Sequence, residues 1–346
     1  MKNHFISIII VAYNAEKFID RALEAIAIQS FRDFDIVLVN NGSTDRTNEI
    51  FEKYQSRHPE MDIIINTIPI NKGLSNGRNV GLLSAAGDYV LFNDADDWMD
   101  PDCLEALSGL AIASGADRIV QQVRFVNDCG KITDELTYSD HPSRWLKNSL
   151  QGDLFSRKAI LKNGIMFDPD VFFDDVYFTC LFSALCPTAA FLRETHYNML
   201  IHDNSTIHKP SSEPGYFVPL MDRSFKGMQT ISEIVWKTED WFLYEYSIME
   251  LYYGFVFRGK EMSINQRIHT YIQYNKIMRK YYPDYLKNQN VKLKAPNGFS
   301  GHFKRNIWAC FQAEKIDKLL HIHILMSLIL VIYHVALRCG LYNVPS

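Results

Sequence analysis

The sequence predicts an α/β fold, in which an open, mostly parallel sheet is flanked by helices and followed by a helical region. Short apolar runs rich in β-branched residues show no polar alternation, which is typical of strands buried on both faces of a parallel sheet. Segments with apolar residues at helical spacing separate these runs, and this alternation indicates right-handed crossovers. At 346 residues, the chain is about twice the usual length of one domain.

The predicted elements can be justified in chain order. Residues 5–11 form the first strand, and Asn14 is expected to cap a helix over 15–29, where apolar residues recur every three or four positions. The rest are a strand at 35–39, a helix after Ser43, a strand at 63–68, a helix near 76–86, a strand at 89–92, and a helix with Asp100 as cap and Pro101 as first residue. From about residue 211 the sequence changes to long aromatic helical stretches, which predicts one domain over 1–210 and a second region over 211–346.

Polar clusters follow three of the predicted strands. Open parallel sheets bind ligands beyond the carboxyl ends of their strands, so these clusters are expected to share one crevice. They are Tyr13-Asn14, Asn40-Asn41-Gly42-Ser43 and Asn93-Asp94-Ala95-Asp96-Asp97.

Composition excludes several classes of protein. Hydrophobic residues make up 47% of the chain and charged residues 22%, so the chain is not intrinsically disordered. The 36 Lys and Arg against 40 Asp and Glu give a net charge of −4, the wrong sign for nucleic-acid binding. The six cysteines form no CxxC pair, which favours reduced thiols. The N-terminal apolar run is too short for a secretory signal, so a cytoplasmic location is expected.

The acidic cluster is the sharpest chemical signal. Asp94, Asp96 and Asp97 lie within four positions, directly after a predicted buried strand. A hard divalent cation relieves the repulsion between such carboxylates, and Mg²⁺ or Mn²⁺ usually completes its coordination with water and substrate phosphate. The alternative is a solvated acidic turn that caps the following helix.

Four segments closely resemble the successive motifs of family-2 glycosyltransferases with the GT-A fold. The resemblance is specific over residues 5–105 and looser to about 208. The segments are 7–14 (SIIIVAYN), 39–45 (VNNGSTD), 71–81 (NKGLSNGRNVG) and 86–89 (AGDY).

This resemblance implies a crevice that holds a nucleotide-diphospho-sugar, with Asp94-Ala95-Asp96 as the DxD signature. Asp96 would then ligate Mn²⁺ or Mg²⁺, Asp94 would lie toward the ribose and the sugar, and Arg78 would contact phosphate or ribose. A surface helix arginine is the plainer interpretation of Arg78. The implied donor-binding residues are Ala12, Tyr13, Asn14, Asn40, Asn41, Arg78, Asn93, Asp94 and Ala95.

The resemblance also implies a catalytic base. Asp174-Asp175 occupies the position of the family's downstream acidic pair, usually Glu-Asp, which assigns the base role of an inverting enzyme to Asp175. A helix N-terminus acidified to suit the helix dipole is the alternative. His208, and less strongly His202, is a candidate to complete the metal coordination.

The main departure from the family pattern is the pair Asn40-Asn41, where members commonly carry an Asp that accepts a hydrogen bond from uracil N3–H. An amide accepts through its oxygen but also donates, so it can also face cytosine. A UDP-sugar donor is therefore implied by the family and left open by the residues.

The C-terminal tail is basic and apolar. Residues 287–346 hold eight Lys or Arg against two acids, and the apolar stretch 319–337 only just reaches spanning length while containing three histidines. These features favour an interfacial or partner-docking helix, which would place the protein at the inner face of the cytoplasmic membrane. A helix packed on the protein's own core is the alternative, and homo-oligomerisation stays open.

Together these features predict an inverting, metal-dependent glycosyltransferase that adds a sugar to a glycan or lipid-linked acceptor in bacterial surface polysaccharide, such as lipopolysaccharide or capsule. A catalytically inactive glycan-binding or scaffolding protein of the same fold, and a sugar nucleotidyltransferase, are the alternatives.

Overall fold

A computed structural model of the chain describes residues 4–135, 144–145, 147, 149–202, 217–236, 238, 240–256, 262–288, 301–320 and 324–338. The chain forms two compact units. The first comprises the described parts of Met1–Tyr138, Lys147–Pro169 and Phe173–Ile201, and the second those of Ser139–Leu146, Asp170–Phe172 and His202–Ser346. The predicted boundary at 210/211 lies outside the described residues and stays a prediction.

Strands and helices alternate through the first unit. In chain order they are β1 (Ile6–Ala12), α1 (Ile19–Ala27), β2 (Phe34–Asn41), α2 (Thr47–Arg57), β3 (Asp62–Ile68), α3 (Leu74–Ser84), β4 (Tyr89–Phe92), β5 (Trp98–Met99), α4 (Cys103–Ser114), β6 (Arg118–Val120), β7 (Val123–Asn127), β8 (Ile132–Glu135), β9 (Leu154–Ser156), α5 (Arg157–Asn163), α6 (Asp174–Leu185), β10 (Ala189–Phe191) and β11 (Tyr197–Ile201).

The main sheet has seven strands in the order β10-β6-β9-β4-β1-β2-β3. β1 runs parallel to both β2 and β4, and β2 runs parallel to β3, whereas β9 is antiparallel to its neighbours β4 and β6. A smaller sheet has the order β5-β11-β7-β8. The predicted α/β fold with a mostly parallel sheet is confirmed.

The central strands are buried on both faces, as their unalternating apolar sequences predict. Ile8 and Ile10 of β1 belong to one core cluster, and Ile9 of β1 meets α3 on the other face. The approach of α3 is close because Gly81 has no side chain: a Cβ there would lie 2.4 Å from Ile9 Cγ2.

Two predicted helix starts are wrong. Asn14 does not cap α1, which begins at Ile19; its φ is +51°, and its Oδ1 accepts a hydrogen bond from the backbone N–H of Thr44 at 2.8 Å. Similarly, α4 begins at Cys103 and not at Pro101. The carboxylate of Asp100 pairs with Arg124 at 3.0 Å instead of capping the helix. In both cases a contact distant in sequence takes the predicted capping group.

The described part of the second unit is helical, as expected. Burial raises the pKa of Glu314, whose carboxylate accepts hydrogen bonds from the hydroxyls of Tyr252 and Tyr271 at 2.6 and 3.0 Å. These tyrosines therefore pack in a core. The helices are α7 (Phe217–Val235), α8 (Trp241–Val256), α9 (Ile264–Tyr281), α10 (Gly301–Leu320) and α11 (Ile324–Arg338), with a 3-10 turn at Tyr285–Lys287.

Candidate active site

The predicted polar clusters do meet at one edge of the main sheet. The register pairs Ala12 with Asn40 across β1 and β2, and Ile9 with Phe92 across β1 and β4. The carboxyl ends of the three strands therefore lie side by side, and the polar residues that follow them share that edge.

Asp94 is held by two side chains. Its Oδ1 accepts from Arg78 Nη2 at 3.1 Å and its Oδ2 accepts from Gln151 Nε2 at 2.9 Å. Its backbone N–H donates to the hydroxyl of Tyr197 at 3.1 Å. The carboxylate is thus fixed in orientation while 31% of the side chain stays exposed.

Asp97 points into the protein and is not a candidate metal ligand. It is 2% exposed, and its Oδ1 accepts from the backbone N–H of Leu200 at 2.9 Å. Burial, followed by the neighbouring carboxylates, raises the pKa of Asp97 well above its ordinary value. Its role is to tie the acidic turn to β11.

Asp96 is half-buried, and an arginine fixes the turn at its backbone. Arg21 Nη2 donates to the Asp96 carbonyl at 2.8 Å, while the guanidinium lies 3.9 Å from the ring centroid of Trp98. The described residues contain no group of three His, Cys, Asp or Glu side chains placed to hold a metal. His208 lies outside the described residues, and His202 is half-buried in the second unit.

Arg78 lies between two carboxylates. It is 3% exposed, with Nη2 at 3.1 Å from Asp94 and Nη1 at 3.0 Å from Asp174. Burial alone would lower the pKa of this guanidinium, but the nearby carboxylates outweigh it and raise that pKa. Arg78 therefore stays charged and links the acidic turn to the start of α6; a contact with phosphate or ribose stays a prediction.

Asp175 sits beside this ion-paired group at the first turn of α6. Its pKa is raised to about 6, chiefly by burial and then by the charge of Asp174. Asp174 itself is tied down, since it also accepts from Ser75 Oγ at 3.2 Å. The two adjacent acids thus differ: one is neutralised by arginine, and the other is a carboxylate with the raised pKa of a general base.

Asn40 and Asn41 point to opposite sides of β2. Asn40 is used within the fold, because its Nδ2 donates to Asn48 Oδ1 at 3.1 Å and its Oδ1 accepts from the Ser43 N–H at 3.0 Å. Asn41 Nδ2 donates to the carbonyl of Gly73 at 3.0 Å, which fixes the orientation of the amide. Its buried Oδ1 has no hydrogen-bond partner among the described residues.

The turn after β1 offers one exposed ring. Tyr13 is 50% exposed, whereas Ala12 is buried at the end of the strand. The backbone N–H of Asn14 donates to Ser43 Oγ at 3.0 Å, which joins the first two polar clusters.

In the acidic turn after β4, Asn93 is buried, and its Nδ2 donates to the carbonyls of Asp94 and Asp97 at 2.8 and 3.3 Å. Ala95 is half-buried against the core.

Sequence reasoning missed Gln151, Tyr197, Arg21 and Trp98. Only Trp98 lies next to a recognisable motif, whereas Gln151 and Tyr197 are 57 and 103 positions from Asp94. No local pattern marks such residues, because their role depends on strands brought together by the sheet.

Comparison with known proteins agrees with this geometry. The family model for glycosyl transferase family 2 matches residues 7–165. Residues 7–165 belong to this family. The matched segment contains the donor-binding candidates and both acids of the DxD signature, whereas Asp174 and Asp175 follow it.

One curated relative is the glycosyltransferase GlyA of Streptococcus pneumoniae, 39% identical over 113 residues that cover 32% of this chain and 16% of that protein. The matches cover well under two thirds of the first curated relatives.

Two solved glycosyltransferase structures share the fold. TarS 1–349 of Staphylococcus aureus in complex with UDP-GlcNAc has a TM-score of 0.66 at 17% identity, covering 92% of each chain. The mannosyltransferase PcManGT of Pyrobaculum calidifontis in complex with GDP-Man and Mn²⁺ has a TM-score of 0.50 at 16% identity, covering 92% of this chain and 88% of that one. The GT-A fold of this chain, with its helical C-terminal region, is thereby established.

Proposed function

We propose that this protein is an inverting, metal-dependent glycosyltransferase that moves a sugar from a UDP-sugar to a hydroxyl of a glycan or lipid-linked acceptor in surface polysaccharide synthesis. The observation that carries the proposal is the cluster in which Arg78 pairs with both Asp94 and Asp174, with Asp175 next to that pair in the first turn of α6. Motif residues of the family-2 segment supply the donor side of the same edge.

The chemistry follows from that arrangement. The acceptor hydroxyl oxygen attacks the anomeric carbon as the bond between that carbon and the diphosphate oxygen breaks. Asp175 takes the hydroxyl proton, and the electron pair of the broken bond leaves with the diphosphate. Arg78 neutralises Asp174, so that the two adjacent acids do not both carry an uncompensated charge.

The donor set of the acidic turn fits a hard divalent cation. Asp96 supplies a partly exposed carboxylate and Asp94 a second one whose orientation is fixed, and one or two carboxylates with substrate phosphate suffice for Mg²⁺ or Mn²⁺. When bound, such a cation offsets the charge that develops on the departing diphosphate. The Mn²⁺ in the complex of the mannosyltransferase PcManGT supports the assignment.

The orientation of Asn41 supports a uridine donor. Because its Nδ2 already donates to the Gly73 carbonyl, its Oδ1 is the atom of the amide without a partner among the described residues. An oxygen accepts a hydrogen bond from uracil N3–H, whereas the bare N3 of cytosine has no hydrogen to donate. TarS binds UDP-GlcNAc, and PcManGT binds GDP-Man. The departure from aspartate at this position is therefore compatible with uracil.

A panel of nucleotide sugars tests the function directly. Thermal unfolding and donor hydrolysis are measured with each nucleotide sugar, with and without Mn²⁺ or Mg²⁺. We expect a UDP-sugar to raise the unfolding midpoint in a metal-dependent way, since ligand at about 100 times its Kd adds about 2.7 kcal/mol to the stability of the folded state. Stabilisation by none of the donors would favour the inactive glycan-binding alternative.

In the same assay, Asp96→Asn should lose the metal-dependent part of the stabilisation. Its matched control is Asp134→Asn, which makes the same change at an exposed aspartate on β8. It should retain full donor stabilisation. Equal loss of donor stabilisation in Asp134→Asn and in Asp96→Asn would show that the acidic turn is not part of the donor site.

A cytoplasmic location of the enzyme stays part of the proposal.

A further inference from the structure

The last two helices share an internal cap. Asp317 on α10 accepts from the backbone N–H groups of Leu325 and Met326, at 3.0 and 2.9 Å, at the first turn of α11. On α11, Met326 and Leu330 are fully buried and Tyr333 nearly so. One face of α11 therefore packs against the rest of the second unit.

A different face of α11 exposes an apolar row. Ile324, Leu328, Ile332 and Val335 are 63%, 53%, 61% and 52% exposed. Their spacing of four, four and three residues places them along one line of the helix, about 16 Å long at about 1.5 Å per residue. Leu319, at the end of α10, is 78% exposed. We call the four side chains on α11 the apolar row.

The sequence segment that contains the apolar row is basic. Residues 287–346 contain only two acids, Glu314 and Asp317, and these are 0% and 1% exposed. Both carboxylates accept hydrogen bonds inside the second unit. Lys315 and Lys318, in contrast, are exposed on the last turns of α10.

The described part of α11 is shorter than the hydrocarbon core of a bilayer is thick. With 15 residues, α11 is about 22 Å long, against a hydrocarbon thickness of roughly 30 Å. No helix among the described residues has the length and apolarity that spanning a membrane requires. An exposed apolar line on a helix that follows exposed lysines in the chain has the composition of a helix that lies in the interface of an anionic bilayer.

We propose that the apolar row, with Lys315 and Lys318, is the surface by which this protein binds an anionic lipid membrane. The apolar side chains enter the boundary between headgroups and acyl chains, and the two ammonium groups meet lipid phosphates. The surface shares no residue with the candidate active site, so the inference goes beyond the proposed function.

The test is flotation of the full chain with vesicles of phosphatidylcholine, either alone or with roughly 30% phosphatidylglycerol, a mixture chosen for an anionic content that attracts basic segments. The protein should float with the anionic vesicles only, and less at high salt. Replacing both lysines in K315Q/K318Q should reduce partition by roughly 30-fold, since each contributes about a fivefold factor near such a surface.

The decisive variant is L328E/I332E, which places two charges in the apolar row and should abolish flotation. Its matched control is Leu83→Glu in the first unit, a residue 70% exposed, which should float normally. An unchanged unfolding midpoint and unchanged UDP-sugar binding in L328E/I332E would show that only the membrane contact is lost.

Other outcomes would overturn the proposal. Flotation of L328E/I332E like the unaltered chain, equal binding to neutral vesicles, or equal loss in Leu83→Glu would each do so. Light scattering after size exclusion tests whether a second copy of the chain binds the apolar row instead. If the unaltered chain does not float and forms a dimer that L328E/I332E dissociates, the row is a dimer interface.

Discussion

Turnover should fall as the pH drops through about 6, because Asp175, in its proposed role as the base, must be ionised to accept the proton. Its pKa is raised from the ordinary 3.8 to about 6 by burial and by the charge of Asp174. At that pKa about 9% of the base is ionised at pH 5 and about 91% at pH 7, so turnover should rise about tenfold between them. At the ordinary pKa about 94% would already be ionised at pH 5, and the rise would be under about 10%.

The assay is hydrolysis of saturating donor across the range from about pH 4.5 to about pH 8, with donor Kd measured at each pH so that protonation of the acidic turn is separated from that of the base. Asp174→Asn removes one of the charges that raise the pKa of Asp175 and should move the acidic limb to lower pH. Arg78 keeps Asp94 as its partner in that variant.

Asp175→Asn should remove the limb and lower turnover by about 10²-fold or more. Because folding raises this pKa, the ionised carboxylate weakens the folded state at neutral pH, so the variant should unfold at a higher temperature. A flat profile between about pH 5 and about pH 7, or a limb that Asp174→Asn leaves in place, would refute the assignment of Asp175 as the base.

Four further substitutions probe the donor side. Asp96→Asn should abolish the metal-dependent part of UDP-sugar binding in calorimetry, and unchanged metal dependence would remove Asp96 from the site. Asn41→Ala should weaken UDP binding relative to CDP binding by about fivefold, which is roughly the contribution of one hydrogen bond. Asn40→Ala should instead lower the unfolding midpoint and leave the ratio of UDP to CDP affinity unchanged. Gln151→Ala should weaken UDP-sugar binding about tenfold by freeing the Asp94 carboxylate, and an unchanged Kd would make this contact structural only.

The sequence alone determined the order of the first elements and the edge at which the site lies. Residues such as Ile8 and Val37 lie in short, β-branched apolar runs without alternation, the pattern of strands buried on both faces of a parallel sheet. The polar clusters follow these runs directly, so the placement of Asp94 and Asn41 depended on local order alone. For this reason the fold class and the family resemblance could be predicted from the order of the residues.

The tertiary structure decided which side chain of each cluster faces the site. Asp97 turns inward because Leu200, 103 positions away, brings a backbone N–H to it. Arg78 joins Asp94 to Asp174, which is 96 positions further along the chain than the arginine. The periods of helices and strands describe near neighbours only, whereas hydrogen bonds and pKa values depend on what the packing of distant strands brings within about 3 Å. That difference in range is the physical reason why the residue types were predictable and their partners were not.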